Sequence, residues 1–161
     1  MSAHDDHARR WTAGLTTDVD TALGLYADEF SFDDRADADH VPDTAITKDE
    51  LRPRLAPYSN RDADNGLGIH SFEVREAFPL AGDNGDPAVV TLWSWTGRNL
   101  ATYHGLKAAG KTLSTIGITW HQLDGDGRIT REQTYWNDTP IFAELGVPVQ
   151  TPHYWEEGFG A

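Results

Sequence analysis

Hydrophobic and polar residues alternate most regularly near the C-terminal end of the chain, between residues 111 and 137. Along 116–121 the apolar side chains fall on one face, and those of Thr119 and His121 fall on the other, which is the period of a half-buried strand. The sequence Asp-Gly-Asp-Gly at 124–127 accepts positive φ and predicts a tight turn. We therefore expect a hairpin that ends in aromatic and polar residues and lines a pocket.

The N-terminal part of the chain carries helical patterns instead. Residues 1–10 are polar, and we expect them to be frayed before a helix becomes regular toward Trp11. An oxygen cap and an acidic first turn at 17–20 predict a second helix start, and apolar residues along 19–26 mark one helical face. Thr47 opens a capping box, which predicts a third helix.

From Leu67 onward the pattern is almost entirely that of strands separated by glycine-rich turns, with a bulge expected near Gly97. A last short helix should begin at Pro140, and the segment 147–161 is an aromatic tail. Helices first and strands afterwards indicate an α+β domain in which helices cover one face of a curved antiparallel sheet. We expect a single domain over residues 1–161, with a conical cavity open at one end.

Composition narrows the classes of function. The chain has 161 residues and no cysteine, so it offers no disulfide, no thiolate metal site and no cysteine nucleophile. Its net charge of -13 argues against nucleic acid and anionic membranes as partners. No apolar run approaches the roughly 20 residues of a membrane span, so we expect a cytoplasmic protein. His4 and His7 are spaced like a metal pair but have no third ligand nearby, and we expect no metal site.

Two segments resemble a known family. Residues 23–34, LGLYADEFSFDD, resemble the helix-to-strand entry of ketosteroid isomerase, and residues 123–138, LDGDGRITREQTYWND, resemble its last hairpin. The ending YWNDTPIFAELG is also similar to SnoaL-like polyketide cyclases and limonene epoxide hydrolase. All belong to the nuclear-transport-factor-2-like superfamily. The resemblance implies a cone-shaped fold, with N-terminal helices packed in a strongly curved antiparallel sheet.

The resemblance also implies candidate catalytic residues. Asp34 falls where ketosteroid isomerase keeps its carboxylate base, whereas its oxyanion donors fall on Arg10 and Thr119, which cannot reproduce that donor pair. The aspartate of the cyclases and the epoxide hydrolase falls on Asn137, and an amide cannot act as a carboxylate base. Either Asp138 replaces it through a local bulge, or Asn137 only orients substrate or water.

His121 lies where some SnoaL-like cyclases carry an inward-facing histidine, and it could form an acid/base relay with Asn137 or Asp138. Each candidate also has a structural interpretation. Asp34 could cap a surface loop, Asp138 could cap the last helix, and His121 could be a satisfied pocket group. The predicted substrate-binding residues are Tyr26, Phe32, Trp93, Trp95, Thr119 and Trp136.

These features together predict an acid/base enzyme that needs no cofactor and acts on a small hydrophobic molecule of polyketide or terpenoid type. The reaction would be an aldol-type cyclisation, an isomerisation or a dehydration, and the protein is expected to be a homodimer. Two alternatives stay open. One is an epoxide hydrolase of the limonene type, and the other is a non-catalytic module for small-molecule binding or assembly.

Overall fold

Four helices and eight strands make up the part of the chain that the computed structural model describes, residues 2–35, 43–82 and 85–149. The helices are α1 (Ala3–Thr17), α2 (Val19–Leu23), α3 (Lys48–Leu55) and α4 (Thr139–Glu144), and a 3-10 turn follows α3 at Ala56–Ser59. The strands are β1 (Tyr26–Arg35), β2 (Asp43–Thr47), β3 (Leu67–Ala81), β4 (Pro87–Leu100), β5 (Thr102–Tyr103), β6 (Leu106–Lys107), β7 (Thr112–Leu123) and β8 (Ile129–Trp136).

Six of the strands form one open sheet in the order β2-β1-β8-β7-β4-β3, and β5 and β6 form a separate small hairpin. Neighbouring strands of the large sheet are antiparallel except β1 and β8, which run parallel. The hairpin expected around residues 124–127 is confirmed as β7 and β8. The α+β layout predicted from the order of patterns is therefore correct.

Side-chain caps fix where the helices begin. The capping box at Thr47 is confirmed, because Thr47 and Glu50 exchange hydrogen bonds at the start of α3. Asp18 accepts from the backbone N–H of Thr21 and caps α2. A second capping box, between Ser2 and Asp5, starts α1. The expected fraying of residues 1–10 is thus wrong, since this cap satisfies N–H groups that a frayed start would leave to water.

The sheet wraps around α1, which supplies the centre of the core. The buried face of α1 carries His7, Ala8, Trp11 and Leu15, spaced three or four residues apart as one helical face requires. Trp11 alone contacts Phe72 of β3, Tyr26 of β1 and His121 of β7. Contacts to three strands that are separated in the sheet require the sheet to curve around the helix.

Two local expectations are corrected by the structure, and a third lies largely outside the residues that it describes. The helical face predicted along 19–26 ends at Leu23, because Tyr26 already begins β1. Gly97 pairs regularly on both sides and makes no bulge, and the irregularity lies between Val74 and Glu76 of β3. The expected tail at 147–161 lies largely outside the described residues, whose last member is Val149.

Two glycines leave room for tryptophan rings on the inner face of the sheet. A Cβ atom on Gly117 would lie 2.2 Å from the Trp93 ring, and one on Gly97 would lie 2.4 Å from the Trp95 ring. Such distances do not occur between real atoms, so any side chain at either position would displace an indole. Gly97 therefore serves packing rather than strand bending.

Within the described ranges, no helix is long and apolar enough to cross a membrane.

We predict that Gly117→Ala destabilises the protein by about 2 kcal/mol, because overpacking a filled core forces side chains and backbone to shift. The measurement is the urea midpoint of unfolding at constant m-value. Gly125→Ala is the matched control, since a Cβ atom at Gly125 meets nothing within 4 Å. Equal midpoints for the two variants would contradict the packing role of Gly117.

Candidate active site

A small cavity of about 30 Å³ lies between α1, the 3-10 turn and the inner face of the sheet. Six of its lining side chains are aromatic: Trp11, Phe32, Tyr58, Phe72, Trp93 and Trp136. Leu15 and Leu55 add aliphatic surface, and Glu132 and Thr134 are the polar members of the lining. The cavity is therefore an apolar space with a polar patch on β8, a composition typical of small-molecule sites.

The aromatic walls are packed against one another. The rings of Trp93 and Trp136 lie 4.7 Å apart at 70°, and Phe72 contacts both in edge-to-face arrangements. Tyr58 stacks on Trp136 and meets Phe72 edge-on. Edge-to-face packing of this kind restrains each ring and leaves only a small open space between them.

Glu132 is the focus of the polar patch. The side chain is 3 % exposed, and its two oxygens accept hydrogen bonds from three groups. The Tyr26 hydroxyl donates to Oε2 at 2.5 Å, and His121 Nε2 lies 3.0 Å from the same oxygen. Thr134 donates to Oε1 at 3.0 Å. A carboxylate offers about four acceptor sites, so these three donors leave capacity for one more.

Two indole N–H groups begin the chains of hydrogen bonds that end on Glu132, because an indole can only donate. Trp11 donates to the Tyr26 oxygen, so the Tyr26 proton is free to point at Glu132.

The second indole orients a longer chain. Thr134 donates its only hydroxyl proton to Glu132, so it accepts from Thr119 at 2.9 Å, and Thr119 in turn accepts from the Trp93 indole at 2.9 Å. Both chains therefore end on the carboxylate as donors.

Strand register brings these polar groups together. In the β7–β8 pair, Thr119 lies opposite Thr134 and His121 opposite Glu132, so all four side chains share the inner face. Tyr26 comes from the start of β1, on the other side of β8. The alternation that places Thr119 and His121 on one strand face is confirmed, and both side chains are completely buried, whereas Ile116 and Ile118 on the apolar face are exposed.

His121 also contacts the N-terminal helix. Its Nδ1 lies 3.0 Å from Nε2 of His7, which is 8 % exposed. Burial, together with the nearby charges of His121 and Arg10, lowers the pKa of His7 to about 3, so His7 is neutral at neutral pH. Burial and the Glu132 carboxylate raise the pKa of Tyr26 well above its usual value, which keeps its proton available for donation.

The predicted substrate-binding residues divide into two groups. Tyr26 and Thr119 lie behind the cavity wall as members of the hydrogen-bond chains, and Trp95 packs beside the cavity with its N–H on His70. The other three line the cavity itself: Phe32, Trp93 and Trp136.

The predicted catalytic residues are not all brought together. Asn137 is exposed, and its side chain accepts from the backbone N–H of Thr139 at the start of α4. Asp138 accepts from the Tyr103 hydroxyl at 2.7 Å and makes no side-chain cap on α4. Neither lines the cavity or contacts His121, so the relay expected between His121 and these residues is wrong. Residues 131–136 of β8 pair regularly with β7, so the described pairing contains no bulge there that would turn Asp138 inward.

Asp34 lies opposite Thr134 in the parallel pairing of β1 with β8, but its side chain lies outside the described part of the chain. Its predicted role as a base therefore stays a prediction. Arg10 is exposed and pairs with Asp6 on α1, away from the cavity.

Sequence reasoning missed the central residues. Glu132 and Thr134 have the same parity as Trp136, which signals a shared strand face. His7 stands one helical turn before Trp11, a spacing that signals a shared helix face. The polar composition of residues 1–10 instead predicts a frayed segment around His7. The two signals also lie 125 residues apart in sequence, from 7 to 132. Only the fold connects them.

A third buried histidine, His70, has a structural role. His70 Nδ1 accepts from the Trp95 indole at 3.2 Å, so its Nε2–H donates to the Leu67 carbonyl. Burial lowers the pKa of His70 and keeps it neutral. Across residues 2–35, 43–82 and 85–149, no three histidine or acidic side chains are grouped as metal ligands.

The fold is shared with several solved structures. A protein of Shewanella putrefaciens assigned as a SnoaL-like polyketide cyclase superposes with a TM-score of 0.66 at 17% identity, covering 92% of this chain and 88% of its own. AclR of Streptomyces galilaeus, assigned as a hydroxylase, gives 0.65 at 13%, covering 94% and 86%. A Bacillus subtilis protein assigned as an isomerase gives 0.62 at 16%, covering 92% and 96%.

No protein-family model matches the sequence, and no curated protein matches it either. At these identities the structural likeness shows the fold. It confirms the predicted cone-shaped α+β fold.

Because the pKa of His7 falls from 6.5 to about 3 on folding, stability should decrease on acidification. Between these values the unfolded chain binds a proton at His7 and the folded chain does not. The contribution of neutral His7 to the free energy of unfolding is therefore complete above pH 6.5 and is lost as the pH falls toward 3. Between about pH 7 and pH 5 the loss amounts to at most about 2 kcal/mol.

Urea unfolding at both pH values should show this loss in the wild type and a smaller loss in His7→Gln, which cannot titrate. His4→Gln, on the same helix, is the matched control and should keep the wild-type difference. The groups facing His7 that also titrate or carry charge are His121 of β7 and Arg10 of its own helix. An identical pH dependence in His7→Gln and wild type would contradict the assignment.

Proposed function

We propose that the protein is an acid/base enzyme that needs no cofactor and acts on a small, mostly apolar molecule, with Glu132 as the proton-transferring group. One observation carries the proposal: a buried carboxylate, supplied with three donors, forms the polar patch of an otherwise aromatic cavity. A group that only stabilised the fold would not need to line a cavity.

The surroundings of Glu132 suit a base. General-base catalysis needs an acceptor within hydrogen-bond reach of the proton that it removes. Glu132 lines the cavity and has acceptor capacity left, while Tyr26 and Thr134 hold the carboxylate in one orientation. Because the cavity wall excludes water, the carboxylate has little hydration to lose when a substrate binds.

The cavity also limits the substrate. Its volume of about 30 Å³ holds about two water molecules, so a ring-sized substrate can enter only if the partly buried side chains of Tyr58 and Trp136 in its wall move. Aromatic walls favour a flat or cyclic hydrocarbon frame. A polyketide- or terpenoid-like carbonyl compound has such a frame.

The proposed reactions share one first step. Aldol-type cyclisation, isomerisation and dehydration of a carbonyl compound each begin with removal of a proton from the carbon beside the carbonyl. The assignments of SnoaL-like polyketide cyclases and an isomerase among proteins of this fold support this class. Asp34 stays a second candidate for the base, on the resemblance to ketosteroid isomerase.

The proposal can be tested without the natural substrate. 5-Nitrobenzisoxazole is a neutral bicyclic compound from which a base removes one ring proton. The C–H electrons then form a nitrile while the N–O bond breaks, which releases a coloured phenolate. We expect wild-type protein to accelerate this elimination, and Glu132→Gln to lower kcat/KM by roughly 100-fold, the usual contribution of a positioned base.

Asp34→Asn tests the second candidate, and under this proposal it should lose less activity than Glu132→Gln. The opposite pattern, with loss in Asp34→Asn and none in Glu132→Gln, would transfer the role of base to Asp34. Saturable binding of the compound without acceleration would favour the alternative, a non-catalytic binding module. Circular dichroism should show the same fold for all three proteins.

We also propose that the protein is a homodimer, with the outer face of β7 and β8 as its interface. Ile116, Ile118 and Tyr135 are 58, 40 and 42 % exposed, and Ile118 lies opposite Tyr135 in the β7–β8 register. Large apolar side chains that adjoin on an exposed sheet face mark an interaction surface more often than scattered ones do.

Light scattering after size exclusion should therefore give twice the chain mass of 17.8 kDa. Ile116→Asp should reduce this to the monomer, because the new charge would be buried at the interface. Leu67→Asp is the control, since Leu67 is similarly exposed at the start of β3. A wild-type monomer would remove the proposal.

A further inference from the structure

His7 connects the N-terminal helix to the proposed catalytic carboxylate through His121. The two imidazole rings meet nearly at right angles, with His7 Nε2 3.0 Å from His121 Nδ1. Trp11, one turn later on the same helix, places its ring edge-on to His121 at 5.0 Å. The helix thus holds His121 by a hydrogen bond and by an aromatic contact.

The donors around Glu132 decide which nitrogen of His121 carries the proton. Tyr26 and Thr134 both donate to Glu132, and a carboxylate has no proton of its own to donate, so Glu132 acts as an acceptor. His121 Nε2, 3.0 Å from Oε2, can contribute only by carrying a proton as well. In a neutral His121 ring, Nδ1 must then be an acceptor, and the atom facing it is His7 Nε2.

We propose that His7 is a positioning residue: its Nε2–H donates to His121 Nδ1 and so holds His121 in the Nε2–H tautomer, with its proton on Glu132. The proposal extends the role given above to Glu132 and rests on it for its effect on catalysis. The tautomer itself can be measured independently of any reaction.

The chain offers a sharp pair of variants at this position. His7→Gln keeps an N–H donor at about the same distance from the helix backbone, whereas His7→Leu fills similar space without a donor. If His7 only filled space, both variants would behave alike. His4→Leu, one turn earlier on α1, is the matched control for a change of composition in the helix.

The experiment is long-range nitrogen–proton NMR of the histidine rings in the full chain at neutral pH, together with the 5-nitrobenzisoxazole elimination. Wild type, His4→Leu and His7→Gln should show His121 as the Nε2–H tautomer. His7→Leu should show a mixture of tautomers and a fall in kcat/KM of roughly tenfold, as for loss of a residue that orients a catalytic group.

Two results would overturn the proposal. One is an Nδ1–H tautomer of His121 in wild-type protein, which requires no variant to fold. The other is an unchanged tautomer in a folded His7→Leu. The failure of this proposal can be distinguished from the failure of the proposed function. If His7→Leu changes the tautomer of His121 but Glu132→Gln keeps full activity, then His7 positions His121 and Glu132 is not the base.

Discussion

The burial of one carboxylate constrains most of the structure around it. A charged group that leaves water must recover its lost hydration from donors, and Glu132 has three of them within 3.0 Å. These donors come from β1, β7 and β8, so the carboxylate fixes the relative position of three strands. A cavity wall that includes such a group stays polar at one point and apolar elsewhere.

The tryptophans stabilise this arrangement in two ways at once. The rings of Trp11 and Trp93 both line the cavity, and each indole N–H donates to a hydroxyl group of a hydrogen-bond chain that ends on Glu132. Replacing either indole with another apolar ring would keep the cavity wall but remove the first donor of its hydrogen-bond chain. Gly117 belongs to the same arrangement, because the Trp93 ring lies where a side chain at Gly117 would be.

Local patterns predicted the fold well, and the site only in part. The capping box at Thr47, the β7–β8 hairpin and the shared strand face of Thr119 and His121 all follow from short-range rules. Glu132 could not be singled out in the same way, because a charged residue on a strand is usually solvated and its burial depends on Tyr26 and His121. Asn137 was misplaced for the opposite reason, since resemblance fixed its position in the sequence but not the direction of its side chain.

The bond between His7 and His121 has a consequence for how the chain folds. These residues are 114 positions apart, and Glu132 lies later still. Such long-range contacts close large loops and form slowly, after local hairpins and helices. During synthesis on the ribosome, α1 would precede every strand of the sheet, and its contacts with His121 could form only after β7 has been made. A nascent chain that ends before β7 would leave His7 without its partner and Trp11 with only part of its contacts, and this part of α1 is where a chaperone would be expected to bind.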